Sequence, residues 1–139
     1  MKEKVLAIIP ARGGSKRIPN KNLRDFCGKP LLVRAIEQAK AHPRITRVIA
    51  DTDSEEIANI AKKCGAEVPF LRPKELATDT AQATDAILHL LERLKKEEDY
   101  EPTHILILQT TSPLREPRDI DACFELMEKT GASSVLTVA

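Results

Sequence analysis

Aromatic residues are scarce in this sequence: they make up 3% of its 139 residues, and tryptophan is absent. Proteins that hold single-stranded nucleic acid stack bases on aromatic rings, and this composition supplies little for such a platform. A large basic excess is also lacking, because 22 Lys and Arg residues face 21 Asp and Glu residues, for a formal net charge of +1. General nucleic-acid binders and membrane-surface binders carry a global or one-sided basic excess. Neither nucleic acid nor a membrane is therefore expected as a partner.

Cysteines and long apolar runs are few as well. The three cysteines, Cys27, Cys64 and Cys123, form an odd count without C-x-x-C spacing, which fits neither a disulfide framework nor a zinc site. The apolar stretch from Val5 to Ile9 is too short for a signal-peptide core, and no run approaches the roughly 18 residues of a membrane span. These absences predict a cytoplasmic protein with reduced thiols.

The sequence instead alternates short apolar runs with amphipathic segments. The apolar runs predict strands at "VLAIIP" (5–10), "TRVIADT" (46–52), "EVPFL" (67–71), "HILIL" (104–108) and "SSVLTVA" (133–139). Helical spacing and end signals predict helices from Leu31 to before Pro43, from the capping-box pair Asp53 and Glu56 to Gly65, from Ala83 through Leu94, and from Pro117 to Gly131. Strands that alternate with helices through short loops predict an α/β fold with a mainly parallel sheet covered on both faces.

Three predicted loops follow strands of this sheet, at residues 11–30, 72–80 and 109–117. In open α/β sheets, ligands lie beyond the carboxyl ends of the strands. We therefore expect these loops to meet at one edge of the sheet and to form the binding site.

The first of these loops begins with "PARGGSKRIPNKN" at residues 10–22, hereafter the basic loop. Gly13 and Gly14 lack side chains, which lets the backbone turn sharply and present its amides to an anion. Cationic side chains add charge-assisted contacts from Arg12, Lys16, Arg17 and Lys21. The alternative is a solvated surface loop with incidental charge. The paired glycines after a buried strand favour phosphate binding, although the spacing matches neither G-x-x-x-x-G-K-[ST] nor G-x-G-x-x-G.

Three stretches carry a resemblance to a known family: "IIPARGGSKRIPNKNLRDFCGKPLL", "DTDSEEIANIAKKCGAEVPFLRPKELATDTA" and "LQTTSPLREPRDID". In this order they resemble the amino-terminal portion of acylneuraminate cytidylyltransferases, also called CMP-sialic acid synthetases. The resemblance implies a Rossmann-like, three-layer αβα fold of the nucleotide-diphospho-sugar transferase type. It implies an enzyme that joins CTP to a nonulosonic, sialic-type sugar acid and releases pyrophosphate, with Mg²⁺ assisting. In such a displacement at phosphorus the protein contributes mostly positioning and charge stabilisation.

The resemblance also implies roles for individual residues. The catalytic candidates are Lys21 and Arg12, with Lys21 beside the reacting phosphate. The implied triphosphate contacts are Arg12, the backbone of Gly13, Gly14 and Ser15, and the side chains of Lys16 and Lys21. Asn22 is expected at the ribose or base, Arg72 at the cytosine carbonyl, and Gln109 near nucleotide and sugar.

Several acidic and polar residues have two interpretations. Asp79 is a candidate for the nucleotide site, and the alternative is a helix cap or loop anchor. Asp51 and Asp53 resemble a metal pair, but Asp53 is already explained as a helix cap, which favours a structural role. Ser112 and Arg115 belong to the pocket or only shape their loop, and Arg115 has the further option of pairing with an acid. His42, His89 and His104 stand apart from any nucleophile and are interpreted as structural.

Relatives of this family are longer, so residues 1–139 are interpreted as a truncated CTP-binding domain without its carboxyl-terminal part. The resemblance places two features beyond Ala139: the Mg²⁺ aspartates, and the segment that swaps across the homodimer to complete the sugar site. No metal ligand is therefore assigned. The synthetases for the eight-carbon sugar Kdo place a metal-binding Asp after the fourth strand, where this chain has "QTTSP". Two alternatives stay open: a CTP-binding fragment without turnover, and a nucleotidyltransferase for another sugar, such as Kdo, or another base.

Overall fold

The computed structural model describes residues 2–14 and 20–137. The strands are β1 (Val5–Pro10), β2 (Asp25–Phe26), β3 (Lys29–Pro30), β4 (Arg47–Asp51) and β5 (His104–Ile107). The helices are α1 (Leu31–Ala41), α2 (Glu55–Lys63), α3 (Ala83–Glu98) and α4 (Pro117–Thr130). Two short 3₁₀ turns cover Lys21–Leu23 and Lys74–Leu76.

A parallel sheet with the strand order β4-β1-β5 forms the centre of the structure. In its register Leu6 lies between Arg47 on β4 and Ile105 on β5. Strands β2 and β3 form a separate antiparallel hairpin whose turn residues, Cys27 and Gly28, both have positive φ, as the common two-residue hairpin turn requires. The central sheet confirms the predicted parallel arrangement.

Helices cover both faces of the sheet, which gives three layers. The odd-numbered residues of β1 (Val5, Ala7, Ile9) belong to a core shared with α1, α2 and α4. The even-numbered residues (Leu6, Ile8) belong to a second core completed by Leu90 and Leu94 of α3. Alternate residues of a strand point to opposite faces, so the continuously apolar sequence of β1 is explained by burial on both sides.

Helix boundaries follow local capping chemistry, with one difference from the prediction. Asp53 is not the cap of α2: the side chain of Ser54 accepts the hydrogen bond from the Ile57 amide at 3.2 Å. Gly65, with a φ of 95°, follows the end of α2 as expected. Helix α4 begins with Pro117 and ends at Gly131, which has a φ of 70°, and both assignments are confirmed.

Two of the strand predictions are wrong for the part of the chain that the structure describes. "EVPFL" makes one parallel bridge, from Glu67 to Ile49, and Pro69 lacks the amide that a longer ladder needs. The segment 133–137 of "SSVLTVA" is not a strand, and residues 138–139 lie outside the described residues.

Burial also differs from expectation at two places. "HILIL" forms β5, but Ile105 and Ile107 are 44% and 46% exposed. They lie in register with Leu6 and Ile8, on the face where α3 covers only the neighbouring strands. Strand β5 is therefore exposed on this face and partly buried on the other. On α3, the first apolar residue of the predicted helix, Ala83, was expected on its buried side but is exposed, while Ala86 is buried.

Cys27, Cys64 and Cys123 are free thiols. Of the helices within the described residues, none combines the length and the apolar character that crossing a bilayer requires.

The core assignment predicts different costs for the same substitution at two positions of α3. Leu94 is fully buried and Leu88 is 51% exposed. Leu94→Ala should lower the free energy of unfolding by about 2–5 kcal/mol, because it removes buried methyl groups and leaves a cavity. Leu88→Ala should change it by no more than about 0.5 kcal/mol. Urea unfolding curves of the two variants measure both values, and equal losses would contradict the two-core description.

Candidate functional site

The basic loop, the 72–80 loop and the 109–117 loop are held together at the carboxyl edge of the sheet. The Arg12 guanidinium pairs with the Asp79 carboxylate at 2.7 Å, which joins the first loop to the second. The Thr110 hydroxyl donates to the Asn22 side-chain oxygen at 2.6 Å, which joins the first loop to the third. The expected convergence of the three loops is confirmed by these contacts.

Gly13 lies at a bend of the chain, in agreement with the sharp turn predicted for the two glycines, and it meets a neighbouring element closely. Neither glycine has a positive φ. A Cβ at Gly13 would approach the Ser54 Cβ to 3.0 Å, whereas Gly14 has open space around it. The Gly13 amide donates to the Asp53 carboxylate at 2.8 Å. Asp53 therefore holds the start of the basic loop against the end of β4, which replaces the predicted cap role.

Arg12 uses one end of its guanidinium on protein partners. Its Nη1 pairs with Asp79 and also donates to the Gly14 carbonyl at 2.9 Å and, at the longer distance of 3.5 Å, to the Ala77 carbonyl. The Arg12 and Asp79 side chains are 31% and 33% exposed. An ion pair in contact with water contributes little to stability. Its main consequence is to orient the Arg12 guanidinium, which stays partly exposed to solvent.

Asn22 is the buried anchor of the basic loop, at 3% exposure. Its amide nitrogen donates to the Arg12 carbonyl at 3.0 Å, and its oxygen accepts from Thr110. Asn22 lies in the 3₁₀ turn that begins with Lys21, after Asn20 with a φ of 54°. Within the described residues no carboxylate lies within ion-pair distance of Lys21. Lys21, which is half-buried, thus lies in a turn whose next residue is hydrogen-bonded to the Arg12 backbone.

Arg72 and Asp51 form a buried ion pair at the end of β4. Their side chains are 7% and 4% exposed, with Nη2 2.9 Å and Nε 3.1 Å from the Asp51 carboxylate. Burial raises the pKa of the Asp51 carboxyl, and the facing guanidinium offsets part of that rise. His89 of α3 is near enough to add a smaller electrostatic contribution. The sequence placed Arg72 in the site but did not identify its partner.

The 109–117 loop is shaped by a contact with α1. The Arg115 guanidinium donates to the Gln38 side-chain oxygen at 2.9 Å and to the Gln109 carbonyl at 3.0 Å. Gln38 in turn donates to the Pro113 and Arg115 carbonyls. Burial lowers the pKa of Arg115, and its partners in the described residues are an amide and a carbonyl, not the acid considered from the sequence. The Gln109 side chain is exposed at the loop surface.

Ser15, Lys16 and Arg17 lie outside the described residues. His42 is buried near the end of α1, where its Nδ1 accepts from the Arg44 amide and its Nε2 donates to Asp121 at 2.8 Å. That contact network agrees with the structural role expected for His42.

Three residues at the site were missed or misassigned by sequence reasoning. Thr110 gives no sequence signal beyond following an apolar strand, and Gln38 lies among ordinary helix residues. Asp51 did offer a signal, since a carboxylate that continues a buried strand needs a cationic or hydrogen-bonding partner. Only the folded chain shows that the partner is Arg72.

The carboxylates at this edge are engaged by protein groups. Asp51 faces Arg72, Asp53 accepts from the Gly13 amide, and Asp79 faces Arg12. Among residues 2–14 and 20–137, no cluster of three or more His, Cys, Asp and Glu side chains has an arrangement suited to a metal ion.

Fold and site together define a class: a three-layer α/β protein with a cationic loop after its first strand, at the place where such sheets bind ligands. A family model described as cytidylyltransferase matches residues 6–139. The chain belongs to the cytidylyltransferase family.

Curated relatives agree with this assignment. The chain is 40% identical to the CMP-N,N'-diacetyllegionaminic acid synthase of Legionella pneumophila, over 95% of this chain and 56% of that protein. It is 41% identical to a pseudaminic acid cytidylyltransferase of Campylobacter jejuni, over 88% of this chain and 52% of that protein. It is 42% identical to the N-acylneuraminate cytidylyltransferase of Escherichia coli, over 92% and 29% respectively. The chain thus spans about half or less of these relatives' lengths.

Solved structures give the same result. The chain matches a CMP:2-keto-3-deoxy-manno-octonic acid synthetase complexed with CTP with a TM-score of 0.75 and 25% identity, over 94% of this chain and 49% of that chain. A cytidylyltransferase from Leptospira borgpetersenii matches with a TM-score of 0.64 and 27% identity, over 93% and 50%. The Rossmann-like nucleotidyltransferase fold expected from the sequence is confirmed.

The bond between Asn22 and Thr110 is predicted to couple the two loops energetically. Asn22→Ala and Thr110→Val should each lower the free energy of unfolding by about 1–3 kcal/mol, because each leaves a buried polar partner unsatisfied. The double variant should lose about 1 kcal/mol less than the sum, since the second change removes an already orphaned group. Chemical denaturation of the four proteins measures the coupling. Strict additivity would mean that the loops are not joined here.

Proposed function

We propose that this chain binds CTP at the carboxyl edge of its sheet. We further propose that the protein joins CTP to a nonulosonic sugar acid to give a CMP-sugar and pyrophosphate. The observation that carries the proposal is the anchored basic loop: Asn22 fixes the turn that bears Lys21, and Asp79 orients Arg12 on the same loop. Membership of the cytidylyltransferase family over residues 6–139 supports CTP as the nucleotide.

The chemistry assigned to these residues is electrostatic. A hydroxyl of the sugar attacks the α-phosphorus and releases its proton to solvent. A new P–O bond forms, and the bond from the α-phosphorus to the oxygen shared with the β-phosphate breaks, so that pyrophosphate leaves. Negative charge accumulates on the phosphate oxygens during this displacement. Lys21 and Arg12 supply fixed positive charge there, which acts strongly because it needs no reorganisation. The backbone of Gly13, Gly14 and Ser15 and the side chain of Lys16 are proposed to hold the rest of the triphosphate.

The nucleoside is assigned to the neighbouring residues. Arg72 is proposed to donate to the cytosine carbonyl, and Gln109, exposed on the third loop, to contact nucleotide and sugar. Asn22 already uses both ends of its amide within the protein, so its contact with ribose or base would use its second N–H. Asp79 contributes through Arg12, as the loop anchor considered from the sequence.

Mg²⁺ does not fit the carboxylates described here as they are arranged. Asp51, Asp53 and Asp79 are each engaged by a guanidinium or an amide, and a divalent ion needs carboxylate oxygens that are available to it. A requirement for Mg²⁺ remains a prediction, with ligands outside these three residues, and no step above depends on it. A homodimer, a cytoplasmic location and the lack of nucleic-acid or membrane partners also remain predictions.

A second candidate is synthesis of CMP-Kdo, and one observation favours it. The CTP-complexed synthetase for the eight-carbon acid shares the fold with a TM-score of 0.75. The curated relatives at 40% and 41% identity carry names of nine-carbon acids, and the nine-carbon class is therefore preferred. A chain that binds CTP without turnover is the remaining alternative.

Lys21→Ala is predicted to weaken CTP binding by about 10- to 100-fold, because a charge-assisted hydrogen bond contributes about 1.5–3 kcal/mol. The matched control is Lys63→Ala, since Lys63 is exposed at the carboxyl end of α2, and it should leave binding unchanged. Isothermal titration calorimetry measures both affinities. Equal CTP affinities of the two variants would show that Lys21 of the basic loop does not contribute to CTP binding.

Turnover is predicted to be selective for the sugar. With CTP and Mg²⁺, pyrophosphate release should occur with at least one of N-acetylneuraminic, legionaminic and pseudaminic acids, and should be slower with Kdo. A coupled phosphate assay after pyrophosphatase treatment measures each rate. Release with Kdo alone would establish the second candidate, and CTP binding without release from any of the four acids would leave the binding-only alternative.

A further inference from the structure

Arg72 is fixed at both its backbone and its side chain to the end of β4. Its amide donates to the Thr52 carbonyl at 2.7 Å. Its Nε and Nη2 face the Asp51 carboxylate, and Nη2 also donates to the Asp51 backbone carbonyl at 3.2 Å. Because β4 pairs with β1 in the central sheet, the guanidinium is attached to a hydrogen-bonded strand.

The same carbonyl places Arg72 next to the basic loop. The Asp51 backbone oxygen accepts from the Ala11 amide at 2.9 Å as well as from Arg72. Ala11 directly precedes Arg12, whose guanidinium is oriented by Asp79. The Arg72 guanidinium therefore lies beside the loop proposed to hold the triphosphate, where the nucleoside end of the same ligand would be located.

Only one edge of the Arg72 guanidinium is used. Its contacts within the described residues are made by Nε and Nη2. Nη1 is not one of the solvent-inaccessible side-chain atoms that lack a hydrogen-bond partner in the described residues. A guanidinium presents its N–H groups in a rigid fork. Fixing the Nε–Nη2 edge therefore also fixes the direction in which Nη1 donates.

The charge balance distinguishes Arg72 from Lys21 on the basic loop. Its positive charge is matched by a carboxylate that is 4% exposed, whereas Lys21 has no such partner in the described part of the chain. A neutralised guanidinium attracts a phosphate less but still donates well to an uncharged carbonyl, especially where water is excluded. The pair is thus suited to the base end of a nucleotide and not to its phosphates.

Stability alone is a weak reason for this pair. Burying two charges costs free energy, and apolar residues of similar volume often stabilise a fold as well or better. The burial that raises the pKa of Asp51 is a sign of that cost.

Taking the nucleotide site of the proposed function as given, we infer that Asp51 is a positioning residue for base recognition. Its carboxylate fixes Arg72 so that Nη1 donates to a carbonyl oxygen of the pyrimidine ring. Asp51 touches neither the phosphates nor the reacting atoms, and its contribution is confined to the part of the affinity that depends on the base.

The test compares CTP with inorganic triphosphate, which has the same anionic groups and no base. Asp51→Asn, a change that nearly preserves side-chain size, should weaken CTP binding at least tenfold. Its affinity for inorganic triphosphate should stay within twofold of that of the unsubstituted protein. Lys21→Ala should weaken the binding of both ligands. The control Asp99→Asn, an exposed residue with a φ of 51° at the end of α3, which Asn tolerates, should weaken neither. Calorimetry gives all the affinities, and circular dichroism checks the fold of each variant.

Two outcomes would overturn the inference. In the first, Asp51→Asn binds CTP with the affinity of the unsubstituted protein. In the second, it loses the same factor of affinity for CTP and for inorganic triphosphate, as general damage to the fold would cause. If Asp51→Asn fails to fold, Asp51→Ser, whose shorter side chain removes the oxygen that faces Nε and Nη2, is tested against the same expectations. Failure of the unsubstituted protein to bind CTP while it binds inorganic triphosphate would refute the proposed nucleotide itself. That result is distinct from a failure of Asp51 alone.

Discussion

The structure depends on the complete burial of β1. Residues Val5 to Ile9 each have no exposed surface, since parallel strands flank β1 and helices cover both its faces. A strand in this position directs its carboxyl end to the middle of the sheet edge. The basic loop that follows is therefore bordered by the segments after β4 and β5, and their contacts with it are a consequence of strand order.

Hydrogen bonds and charge pairing then give this edge its shape. Asn22 ties the loop to Thr110 on one side, and Asp53 holds the Gly13 amide on the other. The ion pairs differ in burial, with Arg12–Asp79 about one-third exposed and Arg72–Asp51 almost fully buried. The edge thus contains the cation Lys21 and a partly solvated ion pair on the basic loop, beside an ion pair that is almost fully buried. This division suits the two ends of a nucleotide, with Lys21 near the charged phosphates and the buried pair near the uncharged base.

Much of the fold was predictable, because periodicity and end signals are local. The buried run of β1, the stripe of α1 and the Pro117 and Gly131 boundaries of α4 each depend on residues close in sequence. The errors came from tertiary context. Ile105 and Ile107 look buried in sequence, but their exposure depends on where α3 packs. Asp53 looked like a cap, yet its neighbour Ser54 had the better geometry.

The site was predictable as a place but not as a set of contacts. Basic residues and glycines after a strand identified the loop, whereas the partners of Arg12, Asn22 and Arg72 lie 67, 88 and 21 residues away in the sequence. Pairings at such separations are decided by strand order, which no local pattern reports.

The most direct measurement of the central claim is a CTP titration followed by the backbone amide resonances of the isotopically labelled protein. The account predicts the largest shifts at Arg12 to Gly14, at Lys21 and Asn22, and at Gln109, with His42 and Thr103 at the opposite edge of the sheet unchanged. Shifts confined to that opposite edge, or none at saturating CTP, would contradict it.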